Sequence, residues 1–361
     1  MSLRDLRRHA GRLAIVGFDG SSVPDDLRRL AAEFDLGGVI YFARNIIEPR
    51  QVAELSREVA DLAGEWPLWV SVDQEGGRVA RLRSPFTEWP PAATLGRSGD
   101  ERLAERFAAA LAAELGAVGI NLDYAPVLDV HTNPANPVIG DRALADRAEL
   151  VATLAAVIIR TLQANGVAAC GKHFPGHGDT SVDSHEALPL VEHDRRRLDA
   201  VEFVPFRRAV TERVATIMTA HVQVPALDAT RIASLSPVVI GGVLKGALAF
   251  NGVVISDDLG MKAVSATLPL AEAAVAAIGA GCDAVLLCNS GPQEQVEAIE
   301  ALIRAAESRV LSTTRIDDAF ARQRRVKERF AASFRPPPAN ALDLVGCAAH
   351  LDVAREMATW R

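Results

Sequence analysis

Short apolar runs and longer amphipathic stretches take turns along this chain. The runs are RLAIVGF (12–18), GGVIYF (37–42), LWVSVD (68–73), NLDYAPVLDV (121–130), VAACGKHF (167–174), ATIMTAHV (215–222), GVVISDD (252–258) and DAVLLCN (283–289). A strand with one wet face alternates apolar and polar residues. Nearly continuous runs predict strands covered on both faces, as in a parallel sheet. Between them, DERLAERFAAALAAELGAVG (100–119) and RAELVATLAAVIIRTLQANG (147–166) carry the helical period, and the second stops at Asn-Gly. Eight strands alternating with helices predict an α/β chain folded as a (β/α)8 TIM-type barrel. A doubly wound open sheet is the structural rival, because periodicity does not count closure.

The polar residues separate the two. Asp73, Asp129, Lys172, His173, His221, Asp257 and Asn289 each fall at or just beyond the C-terminal end of a different apolar run or its neighbour. In a barrel those ends converge on one mouth. In an open sheet they spread along an edge, and only those near a switch point cooperate. So many ionisable groups in equivalent positions favour the barrel. Two further helical stretches follow the eighth run, QEQVEAIEALIRAAESR and STTRIDDAFARQRRVKERF, before the prolines at 336–338. The expected organisation is one barrel over 1–335 with a C-terminal helical extension over 336–361.

The 361 residues are nearly half hydrophobic, enough for a large core, and the net charge of −7 offers no basic surface to nucleic acid. The first twenty residues show neither the apolar core nor the small-residue cleavage site of a signal peptide, and no stretch nears the roughly 20 apolar residues of a membrane span. Cys170, Cys282, Cys288 and Cys347 form no CxxC pair, so reduced thiols are expected rather than a disulfide framework or a zinc site. These features predict a cytoplasmic protein with no nucleic-acid or membrane partner.

KHFPGHGDTSVDSHEALP (172–189) gathers three of the eight histidines among glycines and prolines. Read from its residues alone it admits a metal site, a phosphate cradle, or a mobile loop that brings an acid–base group to a substrate. It lacks the GxxxxGK[ST] pattern of a P-loop. With VDQEGGRVARL (72–82), NLDYAPVLDVHTNPANPVIGDRAL (121–144) and VVISDDLGM (253–261), the chain resembles the β-N-acetylglucosaminidases of glycoside hydrolase family 3, above all the single-domain bacterial enzymes of peptidoglycan recycling. The four motifs stand in the family's order, and the resemblance covers roughly residues 10 to 330.

The resemblance implies a barrel, a small-molecule carbohydrate substrate derived from muropeptides, no cofactor and no metal. It also implies a retaining exo-acting hydrolysis through a covalent glycosyl-enzyme. Asp257 is then the nucleophile, and His185 with Asp183 the acid/base dyad. Asp73, Arg81, Arg142, Lys172 and His173 become ligands of the terminal sugar. A histidine suits the acid/base role because its ordinary pKa of about 6.5 lies near neutrality, and a carboxylate partner orients the imidazole. Asp258 alternates away from Asp257 along the strand and is expected to be a helix-facing or capping carboxylate. Arg78 is open to two readings, sugar ligand or structural partner, and His221 to two more, lining the mouth or standing as a buried, satisfied histidine; His177 is left unassigned. Rival chemistries are substrate-assisted hydrolysis using the Asp257–Asp258 pair, phosphorolysis, and a metal-dependent barrel hydrolase, which the absence of HxH or HExxH disfavours. A catalytically inactive sugar-binding module is the non-enzymatic rival.

Overall fold

The computed structural model describes residues 3–184, 186–331 and 339–361. All eight expected strands form: β1 (Ala14–Val16), β2 (Gly38–Tyr41), β3 (Trp69–Val72), β4 (Leu122–Asp123), β5 (Ala168–Phe174), β6 (Thr216–Thr219), β7 (Val253–Asp258) and β8 (Ala284–Leu287). Each pairs in parallel with its neighbours, and β8 pairs with β1 (Ala14 beside Val285, Val16 beside Leu287), so the sheet closes. Periodicity left open sheet and barrel both standing; closure settles it for the barrel.

The continuous apolar runs follow from this closure. Ile15, Ile40, Trp69, Leu122, Cys170, Met218, Ile255 and Leu286 point into the barrel and pack together. Val16, Val39, Val70, Ala169, Ile217, Val254 and Val285 point outward into the larger cluster beneath the helices. Every strand residue is buried except Asp257, which is half-buried. Alternation therefore sorts the side chains between two apolar layers rather than between core and water.

Helices connect the strands as expected. The helix Glu101–Ala117 starts at Asp100, whose carboxylate accepts the Arg102 and Leu103 N–H groups. The helix Ala148–Ala164 ends at Asn165–Gly166. The helix Thr313–Phe330 closes the N-terminal end of the barrel: Val326 and Phe330 join the interior cluster, and the Lys327 ammonium donates to the Gly37 carbonyl at 2.6 Å. With that end plugged, the opposite mouth is where a ligand can enter. The terminal helix, Ala348–Ala358, packs on the helix Glu101–Ala117 and adds Val353, Ala354 and Met357 to the outer core.

Candidate active site

The end of β3 runs into a tight hairpin, Gln74–Gly76 against Val79–Ala80. The Gln74 side chain holds it, accepting the Arg81 and Leu82 N–H groups at 2.8 and 3.0 Å and donating to the Leu82 carbonyl at 2.9 Å. The hairpin turns Asp73, Glu75 and Arg81 toward the barrel mouth, where Lys172 arrives from β5. The Lys172 ammonium donates to Asp73 Oδ1 at 2.7 Å and lies 2.6 Å from Glu75 Oε1. Arg142, from the loop after β4, forks onto Glu75 through Nε (2.9 Å) and Nη2 (2.8 Å). Arg81 reaches Asp73 Oδ2 at 3.3 Å with its guanidinium over the Phe42 ring.

These charges hold one another in place. Burial pushes the Asp73 and Glu75 carboxyls up, but Lys172 with Arg81 at the first, and Arg142 with Lys172 at the second, outweigh it, so both stay below the usual carboxylate range. Burial pushes the Lys172 ammonium down, and the two carboxylates outweigh that too, leaving it above its ordinary value. The result is a fixed, fully ionised cluster of donors and acceptors.

His173 is held from the other side. Its Nδ1–H donates to Asp129 Oδ2 at 2.7 Å, and its Nε2 faces Arg142 Nη2 at 3.4 Å. Asp129 is completely buried and also accepts the His177 N–H at 2.6 Å. Burial raises the Asp129 carboxyl, but His173 and the hydrogen bonds bring it below its usual value.

Asp257 stands at the end of β7, and its Oδ1 accepts the Asp258 N–H at 2.8 Å. The Asp258 carboxylate is occupied by the protein itself. Oδ1 accepts the Gly260 and Cys288 N–H groups at 3.2 and 3.0 Å, and Oδ2 accepts the Asn289 amide at 3.0 Å. Burial raises the Asp258 carboxyl. His221 is wholly buried, with Nδ1 2.7 Å from Ser234 Oγ and Nε2 donating to the Asp258 carbonyl at 3.0 Å, so it supports the strand end rather than facing the mouth.

Asp73, Arg81, Arg142, Lys172, His173 and Asp257 line one cavity of about 160 Å³ at the barrel mouth. Ile40, Phe42, Met218, Met261 and Leu286 supply its apolar wall, and His177, Ser184, Asp258 and Asn289 also reach it. Arg78 lies outside it, donating to the Val138 and Ile139 carbonyls. Asp183 is half-buried and directly precedes Ser184. His185 lies outside the described residues. Among the described residues no cluster of His, Cys, Asp and Glu suits a metal ion.

The loop after β5 differs from the sequence expectation. Its glycines and prolines admit a mobile loop, yet residues 172–180 are buried except for half-buried Asp179. His177 Nδ1 meets Thr180 Oγ1 at 2.6 Å, and Asn136 donates to the His177 carbonyl at 2.8 Å. A side chain at Gly178 would strike the Val130 carbonyl, since an ideal Cβ there falls 1.9 Å from its oxygen. That glycine serves close packing, not looseness. Exposure begins only at Ser181. The sequence places Asp129 at the mouth without giving it a role and does not single out Glu75; the charged Arg and Lys alongside VDQEGGR and KHF were the available signal that further carboxylates are needed.

Known proteins share this architecture. Residues 6–326 match the glycosyl hydrolase family 3 N terminal domain. The β-hexosaminidase of Alkalilimnicola ehrlichii is 41% identical over 296 residues, 80% of this chain and 83% of that protein. That of Methylobacillus flagellatus is 40% identical over 271 residues, 73% of this chain and 76% of the other. A family 3 β-N-acetylglucosaminidase from a Paenibacillus species superimposes with a TM-score of 0.95 at 42% identity, covering 100% of this chain and 69% of that one. Native NagZ from Neisseria gonorrhoeae gives 0.81 at 30% identity, covering 96% and 97%. With a closed barrel, a charged cavity at its mouth and relatives matched along most of its length, the chain belongs to glycosyl hydrolase family 3 and is a glycoside hydrolase.

Proposed function

We propose that this protein is a retaining exo-β-N-acetylglucosaminidase that removes terminal, non-reducing, β-linked N-acetylglucosamine. Asp257 attacks the anomeric carbon, and His185, oriented by Asp183, protonates the departing oxygen and later activates water. The observation that carries the reading is the cavity wall: Asp257 on one side, and ionised Asp73, Lys172 and Arg142 with His173 on another, the two cations braced from behind by Glu75. Fixed charged groups in a partly dry pocket are what the many hydroxyls of one sugar ring require. A small pocket at a barrel mouth suits a single terminal residue, whereas internal cleavage needs a groove open at both ends.

The reaction follows from retention in two displacements. Asp257 forms a bond to the anomeric carbon as the glycosidic bond breaks, and the departing oxygen takes the proton from His185. Water then gives its proton back to His185 and displaces Asp257. The Asp258 N–H orients the attacking carboxylate. Asp258 itself, with both oxygens bound to β8 and its own turn, is poorly suited to holding a substrate acetamido group, which counts against substrate-assisted chemistry. The relatives' names as β-hexosaminidases and β-N-acetylglucosaminidases support the sugar. We assign the physiological substrates as N-acetylglucosaminyl-1,6-anhydro-N-acetylmuramic acid and its peptide-bearing forms, met in the cytoplasm during cell-wall recycling.

Asp257→Ala should lower kcat for an aryl N-acetylglucosaminide by on the order of 10⁴-fold or more. A fluorinated sugar should leave a mass increment on the Asp257 peptide of the wild-type protein. Activity close to wild type in the variant, or an adduct on another residue, refutes the assignment. Sugar 1-phosphate as the main product in phosphate buffer replaces hydrolysis with phosphorolysis.

A further inference from the structure

We propose that Ser184 is a positioning residue, a latch whose hydroxyl docks on His177 and whose carbonyl docks on the segment after Asp257, holding in place Asp183, which directly precedes it. The inference rests on the dyad reading given above.

His177 is a prepared receptor. The Thr180 hydroxyl donates its one proton to the His177 carbonyl at 3.1 Å. With the hydroxyl proton so placed, Thr180 accepts at its 2.6 Å contact with His177 Nδ1, the arrangement in which the imidazole proton sits on Nδ1. Nε2 is left with a lone pair, and Ser184 Oγ lies 3.2 Å from it, so the serine donates. Burial pushes the His177 imidazole down to about 4, which keeps that lone pair available near neutrality. The ring cannot drift, because the His177 N–H is bound by Asp129 and its carbonyl by Asn136.

The second contact lies across the cavity. The Ser184 carbonyl accepts the Ala263 N–H at 3.2 Å, five residues beyond Asp258. The Asp183 carbonyl accepts the Glu186 and Ala187 N–H groups at 2.9 and 3.0 Å. Ser184 is 3% exposed, whereas Ser181, Val182, Glu186, Ala187 and Leu188 are all exposed. Ser184 thus joins the outer half of the loop to the barrel mouth by both its side chain and its backbone. One neutral hydrogen bond shifts a two-state equilibrium about 5- to 10-fold.

The test compares Ser184→Ala with wild type on two aryl N-acetylglucosaminides, reading kcat/KM, which stops at formation of the glycosyl-enzyme. A phenyl leaving group needs a proton; dinitrophenolate leaves without one. Ser184→Ala should lose about 5- to 10-fold on the phenyl glycoside and stay within about twofold on the dinitrophenyl one, with an unchanged melting temperature. Asp183→Ala run alongside should show the same contrast more strongly. Equal effects on both substrates in Ser184→Ala, while Asp183→Ala still discriminates, overturn the latch and leave the dyad standing. No discrimination in Asp183→Ala overturns the dyad and the latch with it. His177→Gln keeps an acceptor at the Nε2 position, and adding Ser184→Ala to it should cost the same factor again; if the alanine costs nothing there or in wild type, the hydroxyl has no positioning role.

Discussion

Glu75 is bound by two cations at once, Lys172 through one oxygen and Arg142 through both. Removing it leaves two buried positive charges with too few partners, so Glu75→Ala should cost about 3–5 kcal/mol in denaturant unfolding, and KM should rise because Lys172 and Arg142 lose their common anchor. Titration adds a second expectation. The unfolded His177 imidazole takes up a proton below about 6.5, whereas the folded one resists until about 4. Stability therefore falls as pH drops through that window, by about 3 kcal/mol from this residue. The depressed carboxyls of Asp73, Glu75 and Asp129 act lower down, their contribution complete above about pH 4 and lost as pH falls further. Replacing His177 by Gln should flatten the stability profile between pH 6.5 and 4 and leave the steeper loss below it, as followed by denaturant midpoints across that range.

At the level of elements, strand positions were legible because burial on both faces writes itself into uninterrupted apolar runs. Periodicity did not carry barrel closure, which depends on pairing between β1 and β8, the two ends of the sheet in sequence; the polar groups at equivalent strand ends did. Asp73, Lys172 and Asp257 stood out as polar groups ending apolar runs. Asp129 was visible in the same way but its partner was not, because the His173 contact joins the loop after β4 to β5 across 44 residues. The loop after β5 misled for a plain reason: glycine signals freedom or close approach equally, and only the Val130 backbone beside Gly178 decides which. The barrel floor offers a prediction of its own. Burial lowers Lys327 to about 7, with its ammonium 5.7 Å from the Trp69 ring centre. The Gly37 carbonyl it meets also accepts the Trp69 N–H at 3.0 Å and so keeps a partner without it. Lys327→Met should thus gain about 1–4 kcal/mol at neutral pH. A base with a depressed folded pKa costs stability below it and progressively less up to its unfolded value near 10.4, so the gain should fade as the denaturant midpoint is followed toward pH 10.

Across the whole molecule, the C-terminal helix and the mouth are joined through one buried carboxylate. Glu114 accepts the Thr87 N–H and hydroxyl at 3.0 and 2.5 Å, the Gly346 N–H at 3.0 Å, and His350 Nδ1–H at 2.9 Å. Thr87 belongs to the segment that continues from Arg81. Ending the chain before residue 339 should lower stability by roughly 3 kcal/mol from the exposed Val353 and Met357 contacts alone, and should raise KM more than it lowers kcat, measurable by thermal melting and steady-state kinetics with an aryl N-acetylglucosaminide. The tie between Asp258 and the end of β8 reaches further, into how a bond can form beside it. Its grip on Cys288 and Asn289 leaves the backbone under Asp257 no freedom to lean outward. On the proposed chemistry the carboxylate is an anvil, and the anomeric carbon has to travel down to it while the rest of the sugar stays clamped.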